Sequence, residues 1–235
     1  MWVAGSPDCD AAIGYNIETA EDPGLVAAIA NITTVEPRAN LPERYSSSLL
    51  TLASRQERHP IARAQALILF TTLSFAFSRT NLTAGAIVGV DYLFNRNRTT
   101  PPPERDLQKD FFSFIQSTAP RQIAVRERSD RGGGRADIDF VLNGVNVVAE
   151  LKKTDADHDL EGLARTYGLQ TAAYQRSSCT FCVLMVLDLV DRRGAAAHIR
   201  ERVSVQEVIP PAGKTRYSVV VVRIQGMLRA PNELK

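Results

Sequence analysis

Residues 134–153 read Gly-Arg-Ala-Asp-Ile-Asp-Phe-Val-Leu-Asn-Gly-Val-Asn-Val-Val-Ala-Glu-Leu-Lys-Lys, and this stretch decides the fold. The run 136–142 has a strand pattern, Asn143-Gly144 is a strong signal for a tight hairpin turn, and 145–152 runs back as a second strand. Side chains alternate faces along a strand, so Glu150 and Lys152 share one face and Leu151 takes the other. The return through the turn carries Glu150 back towards Asp137. Two carboxylates and an ammonium are thereby expected at one end of a two-stranded ribbon. Carboxylates are hard oxygen ligands that suit Mg²⁺, and a neighbouring lysine can hold a nucleophile or offset charge growing on a phosphate.

Three spaced pairs accompany this hairpin. Gly134 and Asp137 read G-x-x-D, Glu150 and Lys152 read E-x-K, and Gln170 and Tyr174 read Q-x-x-x-Y. In this order the chain resembles the RecB-like branch of the PD-(D/E)xK nuclease superfamily, over about residues 104–189. The resemblance implies an α-β-β-β-α-β restriction-endonuclease-like core with a mixed sheet. It implies Mg²⁺ or Mn²⁺ held by Asp137, Glu150 and the backbone carbonyl of Leu151, with Lys152 positioning water or offsetting transition-state charge. Gln170 and Tyr174 would support the hairpin or touch a DNA backbone. Glu104 has two readings: a further member of the metal site, as the resemblance implies, or an acid favouring the positive end of its helix. Asp139 lies two residues from Asp137 on the same strand face, and the G-x-x-D spacing selects Asp137.

A chain of 235 residues makes one large domain or a smaller domain with an extension, and an apolar fraction of 44% is ample for a core. The net charge of +2 announces no global basic field. Of the five lysines, two are Lys152 and Lys153. Cys9, Cys179 and Cys182 make no disulfide framework, and Cys179-x-x-Cys182 without a second pair reads as buried free thiols rather than a zinc or iron–sulfur site. The opening Met1-Trp2-Val3-Ala4-Gly5 lacks a basic start and a long apolar run, and the most apolar stretch, 66–77, is too short to span a bilayer. The expected setting is cytoplasmic, away from membranes.

Residues 1–100 read as a mainly helical support or dimerisation region, with short helices at 23–32 and 46–58 and a strongly apolar helix at 61–78. The segment 84–94 is apolar and fits helix or strand. The break at 95–103, with three prolines, is the candidate boundary before a nuclease-like domain at 101–235. Within that domain 104–117 has the apolar stripe Leu107, Phe111, Phe114 and Ile115 of an amphipathic helix, and 122–128 alternates as a strand. The glycines in 129–135 make a flexible connection. Acids in 155–159 form a solvated loop and the cap of a helix at 160–176, which carries Leu163, Tyr167, Gln170 and Tyr174 on one side. A buried strand at 183–190, a helix at 192–202 and strands at 203–209 and 217–224 complete the chain. Residues 211–215 mimic the end of a phosphate-binding loop without its leading glycine.

The function expected from these residues and the resemblance is a Mg²⁺- or Mn²⁺-dependent nuclease, acting most naturally on DNA in defence, restriction or repair. The alternative is a catalytically silent nucleic-acid-binding or scaffold protein with a nuclease-like fold. A homodimer is compatible with the apolar 61–78 helix, and any helicase or motor would be a separate chain.

Overall fold

The computed structural model describes residues 60–80, 89–118, 124–127, 137–142, 144–175, 179–192, 197, 199–211 and 214–229. The helices expected at 23–32 and 46–58, the glycine loop, Cys9 and residues 84–88 of the segment 84–94 lie outside the described residues.

The described elements are α1 (Pro60–Thr80), a 3₁₀ turn (Asp91–Leu93), α2 (Glu104–Thr118), β1 (Ala124–Glu127), β2 (Ile138–Leu142), β3 (Val145–Thr154), α3 (Leu160–Leu163), α4 (Leu169–Tyr174), β4 (Phe181–Asp188), a 3₁₀ turn (Ile199–Glu201), β5 (Val203–Val208) and β6 (Tyr217–Gln225). A π-helical turn, Ala164–Gly168, joins α3 to α4 without breaking the helical rod, since Leu163, Ala164, Gly168 and Leu169 all keep right-handed helical backbone angles. The fold is α/β. From α2 onward it runs helix, three strands, helix, strand, as the pattern of the sequence led one to expect. The expected helix at 192–202 is not borne out where the chain is described: Arg192 and Ala197 are not helical, and only the short 3₁₀ turn at Ile199–Glu201 is.

The strands form one mixed sheet in the order β1-β2-β3-β4-β6-β5. β1, β2 and β3 are antiparallel neighbours. β4 is parallel to both β3 and β6, and β5 returns antiparallel on β6. The hairpin turns where Gly144 takes φ +83°, a left-handed angle that glycine adopts without a Cβ penalty.

Alternation along the strands sends two sets of side chains to two faces. Ile138, Phe140, Val147, Leu151, Met185 and Val222 face α1 and α2 in the larger core. Leu184, Val186, Val219 and Val221 face Leu163 and Ala172 of α3 and α4 in the smaller one. β4 is buried along its whole length, the expected state of a central parallel strand covered on both faces.

α1 belongs to the larger core. Ala64, Ile68, Leu69 and Phe75 are fully buried. Phe75 meets Phe111 of α2 at 4.8 Å between ring centroids, and Phe111 meets Phe140 of β2 at 6.2 Å. Arg79 grips Asp110 of α2 with Nε at 2.8 Å and Nη2 at 2.6 Å, while Tyr92 Oη donates to the same carboxylate at 2.9 Å. Burial and the Asp110 charge hold the Tyr92 hydroxyl firmly protonated. A buried pair of this kind costs desolvation on forming and is expensive to break, so it fixes how α1 lies on α2 more than it adds net stability. At the same end of α1, buried Arg202 donates to Thr80 Oγ1 and to Gln225 Oε1, both at 3.1 Å. Most apolar residues of α1 are covered by its own chain, with Ile61, Phe70 and Phe77 half-buried. Among the described residues no helix is long and apolar enough to cross a membrane.

Candidate active site

The β2–β3 register places the first pair of acids. Ile138 is level with Ala149, so one further step puts Asp137 level with Glu150. Asp139 sits two pairs deeper than Asp137, opposite Val148, and is buried. Of the two acids, Asp137 is therefore the one level with Glu150. Its Oδ2 accepts a hydrogen bond from the Leu151 backbone N–H at 2.7 Å, so the carboxylate takes the place that the departing β2 backbone leaves open.

Glu150 and Lys152 share the face that carries Leu184 and Val186, their neighbours in register on β4, and Leu151 enters the opposite core. Lys152 Nζ donates to Glu150 Oε1 in a close ion pair. Glu150 is 1% exposed, and its second oxygen, Oε2, is buried with no hydrogen-bond partner. An unsatisfied buried carboxylate oxygen is costly, so its presence at a charged cluster asks for a function.

The electrostatics bind four residues into one unit. Burial, and then the Asp137 and Glu104 charges, push the Glu150 carboxyl up to about 7, while Lys152 pulls it down. Burial also raises Glu104 at the start of α2, with Asp137 adding to it and Lys152 and the Lys153 backbone N–H pulling back. Burial works against the Lys152 ammonium, but the bond to Glu150 and the charges of Glu150, Glu104 and Asp137 outweigh it and hold the lysine above its usual range. Glu104 stands in the first turn of α2, and its charge also acts on Glu150 and Lys152, so both readings of it remain compatible with its position.

Gln170 and Tyr174 are placed differently. Gln170 Nε2 donates to Tyr174 Oη at 2.8 Å on the outer side of α4. Among the described residues no hydrogen bond joins either side chain to Glu150 or Lys152. Tyr167, from the π turn, reaches the Lys153 carbonyl at 3.5 Å. The acids of 155–159 behave as expected of a cap, with Asp159 Oδ1 accepting from Gly162 N at 2.6 Å. Cys179 and Cys182 are buried and not joined in a disulfide, and Cys179 Sγ lies 3.9 Å from the Phe181 carbonyl.

One residue escaped the sequence. Gln175, 2% exposed, accepts from Val148 N at 2.8 Å and donates to the Asn146 carbonyl at 2.6 Å. β4 pairs with β3 only from Ala149 onward, so the first half of β3 has an open edge there. The Gln175 amide fills that edge as a strand would, locking the end of α4 to the strand that carries Glu150. No local signal marks such a glutamine, because its role depends on where β4 begins to pair.

Among the described residues no group of three or more His, Cys, Asp or Glu side chains is set to hold a metal ion. Mg²⁺, however, commonly takes one or two carboxylates and completes its shell with water and phosphate. Asp137 and Glu150, with the orphaned Oε2 of Glu150, fit that smaller requirement. In comparisons with protein-family models, curated proteins and solved structures, the chain matches none of them.

Proposed function

We propose that the protein is a metal-dependent nuclease of the PD-(D/E)xK type, with a restriction-endonuclease-like core, hydrolysing phosphodiester bonds in nucleic acid, most naturally DNA. The observation that carries this reading is the Glu150–Lys152 ion pair, its acid buried and level with Asp137, with one Glu150 oxygen left without a partner. Asp137 and Glu150 would hold Mg²⁺ or Mn²⁺, together with the Leu151 backbone carbonyl. The bound cation supplies positive charge that acidifies water and stabilises a phosphate in displacement.

The chain's own residues do the rest. Lys152 is kept charged by three carboxylates, so it can donate to a phosphate oxygen as negative charge develops or hold an attacking water. Its bond to Glu150 restrains the ammonium before substrate arrives, which lowers the ordering cost at the moment of reaction. Glu104 adds negative charge at the same strand end and strengthens the pull on a cation. Gln170 and Tyr174 offer polar groups on the outer side of α4, where a strand backbone could rest.

Plasmid, linear duplex and single-stranded DNA, each with Mg²⁺, Mn²⁺ or EDTA, provide the test. Cleavage should require the metal and should vanish in Asp137→Ala, Glu150→Ala and Lys152→Ala variants that keep the parent's melting curve. A Lys152→Ala protein that cleaves like the parent would end the nuclease reading of the hairpin. Binding without cleavage in the parent would leave the scaffold alternative.

A further inference from the structure

β3 outruns β2. The pairing of the two begins at Ile138 opposite Ala149, and β3 continues to Thr154 with β4 on its other side. Among the described strands none pairs with the outer edge of 150–154, the segment that carries Glu150 and Lys152. Alternate residues of a strand turn their backbone groups to the same edge, so Leu151 and Lys153 present theirs there. Side chains meet them in place of a strand. Asp137 Oδ2 accepts from Leu151 N at 2.7 Å. The Lys153 N–H faces the Glu104 carboxylate and favours its charged form. Tyr167 Oη reaches the Lys153 carbonyl at 3.5 Å. The lead into β2, the start of α2 and the rod after the hairpin thus meet this edge at successive backbone groups.

Tyr167 is brought there by the π turn, which is itself held on two sides. Gly168 packs so closely on β5 that a Cβ in its place would lie 3.2 Å from the Val208 side chain. Buried Thr171 donates from Oγ1 to the Tyr167 carbonyl at 3.1 Å. The Tyr167 ring is half-buried against the smaller core, on the sheet face that carries Glu150 and Lys152. Gln170 and Tyr174 lie on the outer side, bonded to each other. A single π turn inside an α-helix is rare and is found mostly at functional sites. At 3.5 Å the hydroxyl contact is weak, so it adds little to folding. Its value is geometric: Lys152 stands between Leu151 and Lys153, and its ammonium is placed only as well as that strand end is fixed.

We infer that Tyr167 is a positioning residue of the candidate site, its hydroxyl holding the Lys153 carbonyl at the outer edge of β3 and thereby fixing Lys152 against the phosphodiester. This rests on the nuclease reading of the hairpin. It names the residue of the following helix that serves the chemical step, as distinct from the strand contacts open to Gln170 and Tyr174.

The test compares the full chain with its Tyr167→Phe, Tyr167→Ala and Tyr174→Phe variants. Three quantities are read: steady-state cleavage of the DNA form that the parent cuts fastest, the thermal melt, and amide hydrogen exchange at 151–153 by NMR without DNA. Tyr167→Phe should lower kcat several-fold at the parent's KM and melting temperature, and should speed exchange at 151–153. Tyr174→Phe should act on KM instead. A Tyr167→Phe protein with the parent's kcat overturns the inference, and a loss confined to Tyr167→Ala would show that the ring's packing is its whole role. A fall of kcat in Tyr174→Phe as large as in Tyr167→Phe would give the role to the outer pair and overturn it too. A parent that cuts no DNA with Mg²⁺ or Mn²⁺ defeats the nuclease reading, and exchange then judges Tyr167 by itself. Exchange in Tyr167→Phe at the parent's rate would overturn the placement of the strand end as well, whereas faster exchange confined to 151–153 would uphold it.

Discussion

At the scale of single residues, Glu150 is where the chemistry and the stability of the molecule pull in opposite directions. Its carboxyl is pushed up to about 7 by burial and by the neighbouring acids, well above the value of an exposed glutamate. The folded state therefore binds a proton more tightly than the unfolded chain does between about pH 4.5 and pH 7. Stability from this group is present at low pH and is lost as pH rises through that window, then stays level above it. Glu150→Gln should melt higher than the parent at pH 8 without metal, by on the order of 3 °C, and the gain should disappear near pH 4. A calorimetric melt at the two pH values checks this, and a Glu150→Gln protein less stable at pH 8 would show that the Lys152 pair outweighs the burial. Metal binding carries the opposite sign. A proton competes for the same oxygens, so Mn²⁺ affinity should fall as pH drops below about 7. The same titration separates the roles of the motif residues: Asp137→Ala and Glu150→Ala each remove a ligand and should weaken Mn²⁺ binding, whereas Lys152→Ala removes a positive charge from beside the ion, so affinity should hold or rise while cleavage stops. That Asp137 and Glu150 would be neighbours was legible, because a hairpin through Asn143-Gly144 has a fixed register and a period of two. The charge state was not legible, because burial depends on α2, α3 and α4 arriving from elsewhere in the chain.

At the scale of elements, the strands and the helices at 61–78, 104–117 and 160–176 were all legible to within a few residues, and the segment after β4 was not. Hydrophobic alternation and turn residues located β2, β3, β4, β5 and β6 to within a few residues, since a strand's faces are written in its own sequence. The segment 192–202 misled because its composition suits a helix, while the structure uses Arg192 to hold Asp157 at 2.6 Å and Asp188 at 3.1 Å. Those partners are remote in sequence or at a strand end, and propensity does not see them. The helix after the hairpin was found, but its π turn was not, and that turn is what brings Tyr167 towards Lys153. Gln175 and Gln170 make the contrast between support and surface testable. Gln175→Ala strands the Val148 N–H and the Asn146 carbonyl on an open strand edge, so it should cost about 1–3 kcal/mol, read from urea unfolding. Gln170 is exposed and bonds only Tyr174 among the described contacts, so Gln170→Ala should change stability by no more than about 0.5 kcal/mol. Equal costs for the two would show that the β3 edge is held by something other than the Gln175 amide.

At the scale of the whole molecule, the question is whether α1 and the sheet fold as one body. A boundary near residue 100 follows naturally from three consecutive prolines, because proline marks a local break. Local breaks say nothing about whether the chain on the two sides shares a core, and here it does. Phe75 of α1, Phe111 of α2 and Phe140 of β2 stack in sequence across the supposed boundary, and the Arg79–Asp110 pair and the Arg202–Thr80 bond cross it as well. The β2 strand that leads to Asp137 therefore rests, through Phe111, on a helix whose sequence suggested a separate region. Phe75→Ala opens a cavity at a fully buried site and should cost about 3–5 kcal/mol. In a chain with one core, that loss displaces a single calorimetric transition, and the displacement is the same by far-ultraviolet circular dichroism and by near-ultraviolet signals from the sheet's own aromatics. Two independent regions would give two transitions, only one of them moved by Phe75→Ala, and the catalytic candidates would keep their Mn²⁺ affinity after the first had melted. Such a result would separate α1 from the sheet and return it to a support or dimer role. A single transition would mean instead that the site at the β2–β3 strand end is held in place by residues from about 60 onward, so that a fragment beginning at residue 101 should neither melt cooperatively nor bind Mn²⁺.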